Sequence, residues 1–161
     1  MTITFQGSPI TLEGNRVKVG DKAPNFKAVG TDLNEFNFNE TKGKRIILSV
    51  PSVDTPVCDI ELNRFNKEAS SLKDVNLYAV SLDLPFAQGR WCGATNVDNL
   101  KVVSDYKFHD FAKAYGLYIK ELGLLSRAVF VIDENDTVIY ADYLQEITNE
   151  PNYEEILNIV K

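Results

Sequence analysis

A short apolar run, a proline-framed loop and an amphipathic stretch constrain this chain more than any other feature. Residues 45–50 are mainly apolar, with β-branched Ile46, Ile47 and Val50, over the length of a buried strand. Pro51 and Pro56 frame the loop that follows, and Pro56 suits the first position of a helix, where a missing N–H costs nothing. The pattern predicts a strand–loop–helix unit that runs to about Leu72, with Thr55 as the helix N-cap.

Cys58 falls in the first turn of this predicted helix, three residues after Thr55. Only a thiolate is a strong nucleophile, and free N–H groups at a helix start favour the thiolate form. An isolated cysteine is otherwise often a small buried hydrophobe, so both interpretations stay open for Cys58 on these features. The apolar positions of the helix are Val57, Ile60, Leu62, Phe65, Ala69 and Leu72, and its polar positions are Asp59, Glu61, Arg64, Lys67 and Glu68.

The remaining pattern predicts an α/β protein. Predicted strands cover residues 2–5, 10–12, 26–29, 35–38, 76–81, 101–104, 128–132 and 137–140. Predicted helices cover residues 84–95, 108–115 and 153–160. Strand–helix–strand, then a hairpin and a closing helix, is the order of a thioredoxin-like fold. We therefore expect one domain over residues 1–161, a central mixed sheet flanked by helices, and an added N-terminal β-hairpin over about residues 2–12.

Charge and composition exclude several classes of partner. Seventeen basic and 23 acidic residues give a net charge of −6, which argues against nucleic acid or an anionic membrane as the main partner. No apolar run approaches the ~18 residues of a membrane span, and no signal pattern opens the chain. A cytoplasmic location is the expectation, and in such a reducing compartment two cysteines favour catalysis over a permanent disulfide.

Other kinds of cysteine site fit the sequence less well. Two cysteines 34 residues apart and a single histidine lack the ligand spacing of a zinc site. A Cys–His hydrolase would need His109, which lies in an ordinary helix-start context. A thioredoxin-like disulfide-exchange protein normally carries a Cys-Xaa-Xaa-Cys pair, and here Thr55 occupies the position of the second cysteine. A redox sensor that passes oxidation to a partner stays open.

Several separate motifs resemble those of one family. Pro51, Thr55 and Cys58 match the Pro-Xaa3-Thr-Xaa2-Cys pattern of peroxiredoxins. The N-terminal hairpin and residues 19–26, 84–92 and 127–133 are similar to the bacterial thiol peroxidases, the atypical two-cysteine branch. The resemblance therefore covers the whole chain. Trp91 stands where Phe is expected in that branch.

The resemblance implies a thiol peroxidase that reduces hydrogen peroxide and organic hydroperoxides without a metal or cofactor. It implies that Cys58 is the peroxidatic nucleophile and that Cys92 resolves the sulfenic acid as an intramolecular disulfide. In this family Thr55 directs its hydroxyl at the thiolate, Pro51 shields the thiolate from water, and the Arg127 guanidinium stabilises it. The implied partners are a hydroperoxide, thioredoxin as the reductant and a second copy of the chain in a homodimer.

Overall fold

The computed structural model describes residues 2–95 and 99–161. Within those ranges the strands are β1 (Ile3–Phe5), β2 (Ser8–Ile10), β3 (Leu12–Glu13), β4 (Lys27–Gly30), β5 (Glu35–Asn37), β6 (Lys44–Ser49), β7 (Val75–Ser81), β8 (Leu100–Ser104), β9 (Tyr118–Ile119), β10 (Leu124–Leu125), β11 (Ala128–Ile132) and β12 (Val138–Tyr143). The α-helices are α1 (Pro56–Ala69), α2 (Pro85–Thr95), α3 (Asp110–Tyr115) and α4 (Tyr153–Val160). No helix among the described residues is long and apolar enough to cross a membrane.

Seven strands form the central sheet in the order β12-β11-β6-β7-β8-β4-β5. The three strands β6, β7 and β8 are parallel, and the outer pairings are antiparallel. The parallel pair β6 and β7 is joined by α1, as the strand–helix–strand pattern predicts. The predicted mixed sheet flanked by helices is therefore confirmed.

Alternation along the central strands builds an apolar core on each face of the sheet. On β6, Ile47 packs with the aromatic cluster of one face, whereas Ile46 and Leu48 face the other side. The first core is rich in aromatic side chains, among them Phe26, Phe38, Phe111, Tyr115 and Phe130. The second core contains Cys58, Leu62, Phe65, Trp91 and Ile156, so α1, α2 and α4 all pack on the face that carries Cys58.

The register of β6 and β11 brings two distant parts of the chain to one point. These strands are antiparallel, and Ala128 pairs with Ser49 at the carboxyl end of β6. Arg127, the residue before β11, therefore lies beside the loop that leads from β6 into α1. The pairing brings Arg127 close to Ser49, although the two residues are 78 positions apart in the sequence (127 − 49 = 78).

The N-terminal hairpin is confirmed, but its second strand lies earlier than predicted. Ile3–Phe5 pairs with Ser8–Ile10 across a two-residue turn, in which Gln6 and Gly7 have φ values of 50° and 82°. Positive φ at both central residues is the geometry of a tight hairpin turn. Leu12, predicted as the end of this hairpin, instead lies in β3, which pairs with β9, a strand that the sequence did not predict.

Several predicted boundaries were wrong by a few residues. Helix α1 ends at Ala69 rather than Leu72, where the Ser70 and Ser71 hydroxyls bond the carbonyls of its last turn. Helix α3 begins at Asp110, after His109 in a left-handed conformation. Phe38 opens a short 3₁₀ turn (Phe38–Glu40) instead of ending β5.

Candidate active site

The loop between β6 and α1 is fixed by hydrogen bonds at both ends. Asp83, just after β7, accepts hydrogen bonds from the Ser52 hydroxyl at 2.7 Å and from the Val53 N–H at 2.8 Å. The Thr55 hydroxyl accepts from the Cys58 N–H at 3.3 Å and donates to the Ser52 carbonyl at 3.1 Å. Thr55 is thus the N-cap of α1, with Pro56 in the first turn. Its hydroxyl proton is directed at Ser52, not at the Cys58 sulfur.

Cys58 is completely buried in the first turn of α1, and its sulfur contacts a cation. Nη2 of Arg127 lies 2.9 Å from Cys58 Sγ. A guanidinium at this distance stabilises negative charge on sulfur, as do the free N–H groups of a helix start. The contact with Arg127 therefore places a positive charge directly beside the Cys58 sulfur.

Arg127 is held at three of its nitrogen atoms and is 2% exposed. Nε donates to the Ile147 carbonyl at 2.7 Å, Nη2 to Cys58 and Nη1 to the Glu61 carboxylate. A guanidinium fixed in this way is preorganised, because it does not have to reorient as charge develops next to it. Arg at the end of a strand is usually solvated, so the sequence alone gave no sign of this burial.

Glu61 is the site residue that the sequence analysis missed. It was assigned to a polar helix position, but its side chain is fully buried and paired with Arg127. Ile60, predicted to be apolar and buried, is 53% exposed instead. Glu61 lies three residues after Cys58 on the same face of α1, so the spacing marks it as a neighbour of the thiol but does not show that it is buried. Burial raises the pKa of Glu61 to about 7, although Arg127 opposes the shift.

A cavity of about 250 Å³ opens beside these groups. Pro51, Thr55 and Arg127 form part of its wall. The rest is contributed by the N-terminal hairpin, by the start of α1 and by the segment before α4: Phe5, Gln6, Pro56, Val57, Ile147 and Thr148. Most of these side chains are apolar, so the cavity suits a small molecule with a polar end near Arg127 and an apolar remainder.

Cys92 lies in α2, half-buried at the edge of the core that contains Cys58. The two thiols are not bonded to each other in this structure. Burial raises the pKa of Cys92, so this thiol is a weak nucleophile in its present position. The structure thus brings Cys58, Thr55, Arg127 and Pro51 into one site and leaves Cys92 on a separate helix. The His109 ring lies 5.9 Å from the Tyr118 ring, and Tyr118 packs against the core that does not contain Cys58.

Two contacts connect the cysteine-bearing segments. The Trp91 indole N–H donates to Asp59 Oδ1 at 2.7 Å, and Arg90 forms an ion pair with Asp54 at 3.0 Å. Trp91 and Asp59 are each adjacent to a cysteine, and Arg90 and Asp54 lie a few residues from one. Each contact therefore joins α2 to the segment that carries Cys58. Arg90 and Asp54 are both more than half exposed, so their ion pair contributes little. The buried Trp91 contact is the stronger one, and a Phe at this position would lack it.

Glu146 fastens the N-terminal hairpin over the cavity. Its carboxylate accepts hydrogen bonds from the Gly7 N–H at 2.8 Å, the Thr4 hydroxyl at 2.9 Å and the Thr148 N–H at 2.9 Å. Desolvation opposes ionisation, but hydrogen bonds from Thr148, Gly7 and Thr4 outweigh it and hold the pKa of Glu146 at about 2. Since this is below the ordinary 4.5, the ionised carboxylate stabilises the folded state above about pH 4.5 and loses that effect as the pH falls toward 2.

We therefore expect Glu146→Gln to lower the free energy of unfolding at neutral pH, because the charge-assisted hydrogen bonds are lost. Urea unfolding at several pH values measures this, and the difference from wild type should shrink as the pH falls from about 4.5 toward 2. Glu154→Gln, at an exposed position on α4, is the matched control and should match wild type throughout. A destabilisation by Glu146→Gln that is equal at every pH would contradict this role.

Comparison with known proteins places the chain in a family. A family model described as Redoxin matches residues 18–157. The thiol peroxidase of Bacillus subtilis (strain 168) is 53% identical over 160 residues, which cover 99% of this chain and 96% of the relative. The thiol peroxidase of Clostridium acetobutylicum is 51% identical over 157 residues, covering 98% and 96%. The chain therefore belongs to the Redoxin family.

The comparisons also resolve the branch. The crystal structure of a peroxiredoxin-like protein from Aquifex aeolicus superposes with a TM-score of 0.91 at 42% identity, covering 99% of this chain and 95% of that one. A thiol peroxidase from Chromobacterium violaceum, with a TM-score of 0.90 at 19% identity, shows the same fold. With the full-length relatives, these findings confirm the predicted kinship with bacterial thiol peroxidases. They also confirm the predicted class of enzyme, a peroxiredoxin that reduces hydroperoxides with a thiol reductant.

Proposed function

We propose that Cys58 is the peroxidatic residue of a thioredoxin-recycled peroxidase and that Cys92 resolves it. The Cys58 thiolate attacks the distal oxygen of the hydroperoxide, so that an S–O bond forms and the O–O bond breaks. The leaving oxygen takes up a proton and departs as water or an alcohol. Cys58 becomes a sulfenic acid, which the Cys92 thiol attacks to form a disulfide and release water.

The observation that carries this proposal is the contact between Arg127 Nη2 and Cys58 Sγ at 2.9 Å, since Arg127 also lines the cavity. In that position the guanidinium stabilises the thiolate before attack and the charge that develops on the peroxide oxygens during attack. Pro51 keeps water from the sulfur. Thr55 caps the helix in the reduced enzyme, and rotation of its hydroxyl away from Ser52 would let it donate to a bound peroxide.

The substrate class follows from the lining of the cavity. Apolar side chains of Phe5, Val57 and Ile147 surround the approach to Arg127, and a volume of about 250 Å³ exceeds the needs of hydrogen peroxide. We include organic hydroperoxides among the substrates for this reason. Their alkyl groups would lie on the apolar wall while the peroxide oxygens face the guanidinium.

A coupled assay with thioredoxin, thioredoxin reductase and NADPH tests the proposal. Wild-type protein should oxidise NADPH only when a hydroperoxide is added, and neither Cys58→Ser nor Cys92→Ser should do so. A disulfide-exchange protein would react slowly with peroxide in stopped-flow mixing. A redox sensor would react fast but turn over poorly with any dithiol, and either result would replace the proposed function.

The proposal includes a homodimer in the cytoplasm. Large apolar side chains are exposed on α1 and at the start of α2, and Phe86 is 71% exposed. Exposed apolar groups of this size favour a contact with another protein surface. A reducing compartment would keep Cys92 available as a thiol between turnovers. Light scattering on the purified chain tests the dimer, and a monomer at micromolar concentration would exclude it.

Formation of the disulfide requires α2 and the first turn of α1 to separate from their present packing. A disulfide needs Cα atoms within roughly 7 Å and side chains that point toward each other. The Cys58 side chain now points toward Arg127 instead. The hydrogen bond from Trp91 to Asp59 holds the two segments together in the reduced state. It therefore opposes the opening that resolution needs.

We expect Trp91→Phe to speed disulfide formation about tenfold. A hydrogen bond to a charged group contributes about 1.5–3 kcal/mol, and each 1.4 kcal/mol changes an opening equilibrium about tenfold. Rapid-quench mass spectrometry measures closure of the disulfide, and hydrogen exchange should show faster exchange across Pro85–Thr95 in the reduced variant. Tyr153→Phe removes a hydroxyl bonded to Glu150 without touching α2 and serves as the control. Unchanged closure in Trp91→Phe would remove Trp91 from this role.

A further inference from the structure

One cation and two acids meet, completely enclosed, at the start of α1. Arg127 donates through Nη2 to Cys58 Sγ and through Nη1 to Glu61 Oε2. Cys58 and Glu61 have no exposed surface, and Arg127 is 2% exposed. Glu61 Oε1 has no hydrogen-bond partner among the described residues. A single guanidinium balances one negative charge, yet the thiolate and the carboxylate together would place two against it.

Among the residues that the structure describes, no group besides Arg127 supplies a positive charge to Glu61. Glu150, from the segment before α4, adds negative charge and disfavours ionisation of Glu61. Tyr153 of α4 packs in the same core as Cys58 and donates its hydroxyl to Glu150. Arg64 lies over the Tyr153 ring, 4.1 Å from its centroid, and forms no ion pair with Glu61. Burying two anions against one cation is costly, so the cluster favours keeping one proton.

We propose that Glu61 is a positioning residue whose proton follows the redox state of Cys58. In the reduced enzyme Cys58 is the thiolate partner of Arg127, and Glu61 carries the proton. Once oxidation removes the charge from Cys58, Glu61 ionises and becomes the only anion paired with Arg127. In both redox states one anion therefore balances the charge of the guanidinium and holds it in place. The inference rests on the proposed function and goes beyond it, because it assigns Glu61 a part in every turnover.

The pKa of Glu61, raised by burial to about 7, is consistent with a proton that can be gained and lost near neutral pH. The raised value reflects desolvation acting against the attraction of Arg127. Loss of the neighbouring thiolate removes a like charge, which lowers the pKa of a carboxyl group. Oxidation of Cys58 therefore shifts the Glu61 equilibrium toward ionisation.

The proton balance of the reaction makes this testable. One thiolate, one thiol, one hydroperoxide and one proton give one disulfide, one alcohol and one water. Two electrons pass from the two sulfurs to the peroxide, the O–O bond breaks and the S–S bond forms. If Glu61 supplies the proton, the solution supplies none. When a dithiol later reduces the disulfide, the proton released as Cys58 becomes a thiolate returns to Glu61.

Proton uptake during oxidation of the reduced full-length protein measures this balance. The protein is mixed in weak buffer at about pH 7.5, just above the pKa that burial and Arg127 give to Glu61, with one equivalent of tert-butyl hydroperoxide and a pH-indicator dye. We expect wild type to take up far less than one proton per disulfide, and Glu61→Gln to take up about one. Gln keeps a hydrogen-bond acceptor for Arg127 but cannot ionise. Glu68→Gln, on the same helix outside the cluster, should behave as wild type.

Equal proton uptake by wild type and Glu61→Gln would overturn the proposal, and so would a change of the same size in Glu68→Gln. An infrared difference spectrum of wild type provides a second test. It needs no variant, so a variant that fails to fold cannot affect the result. The C=O band of a protonated buried carboxyl group should disappear on oxidation, and a band that persists or is absent from both states would overturn the proposal. Diamide oxidises the thiols to the same disulfide with the same proton requirement. If diamide forms the disulfide with the expected difference in proton uptake but peroxide does not form it, the result counts against the proposed function. The role of Glu61 is then still supported.

Discussion

The Cys58→Ser variant should consume no hydroperoxide, whereas Cys92→Ser should be oxidised once and then stop. The reason is the unequal setting of the two thiols. Cys58 lies at the start of α1 against Arg127, and Cys92 lies in α2, where burial raises the pKa of its thiol. Loss of the nucleophile removes the reaction, but loss of the resolving thiol leaves the sulfenic acid intact.

Mass spectrometry after one equivalent of peroxide measures this difference. We expect Cys92→Ser to carry one or more added oxygen atoms on the peptide that contains Cys58, and Cys58→Ser to carry none. A Ser104→Ala variant, altered at a buried hydroxyl near α2 that bonds the Asp83 carbonyl, controls for general loosening of the fold. Full thioredoxin-dependent turnover by Cys92→Ser would show that Cys92 is not the resolving residue.

The second large effect is expected for Arg127→Ala, which should slow the reaction with peroxide by about 10²-fold or more. The variant loses the cation that stabilises the thiolate and the donor that faces the peroxide oxygens. The donor to the peroxide oxygens is still missing at a pH where the thiol is fully ionised. Raising the pH should therefore restore only part of the rate. Stopped-flow measurement of the second-order rate constant across pH separates the two contributions.

Arg127→Ala also leaves the buried Glu61 side chain without its hydrogen-bond partner, which in general destabilises a protein by about 1–3 kcal/mol. The double variant Arg127→Ala with Glu61→Gln cannot ionise at position 61 and should be as slow as Arg127→Ala, because neither variant has the cation. Arg90→Ala, at an exposed ion pair close to the site, should keep the wild-type rate. A wild-type rate in Arg127→Ala at saturating pH would place Arg127 outside the reaction.

The local parts of this structure could be predicted from the sequence. Residues 45–50 are mainly apolar and partly β-branched, Pro56 suits a first helical position, and Thr55 has a side chain that can cap. Each of these signals depends on neighbours within a few residues, and the structure contains the strand, the helix and the N-cap. The mixed sheet could be predicted from the order of the predicted strands and helices along the chain.

Burial of Glu61 could not be predicted from its own helix. Its partner, Arg127, lies 66 residues further along the chain and reaches Glu61 only because β11 pairs with β6. An acidic residue with no visible partner is normally assigned to solvent, and the neighbouring Ile60 is then assigned to the core. Both assignments were wrong for the same reason. The partner of the two-residue strand β3 escaped prediction similarly, since the pairing of β3 with β9 joins residues more than 100 positions apart.

Peptide mapping without reductant tests most directly the claim that Cys58 reacts and Cys92 resolves. Reduced wild-type protein is treated with one equivalent of hydroperoxide, alkylated and digested, and the state of each cysteine is read by mass spectrometry. The account predicts one disulfide between the Cys58 and Cys92 peptides of the same chain, formed at the rate of peroxide loss. Oxidation of Cys92 with Cys58 still reduced, or a disulfide that joins two chains, would contradict it.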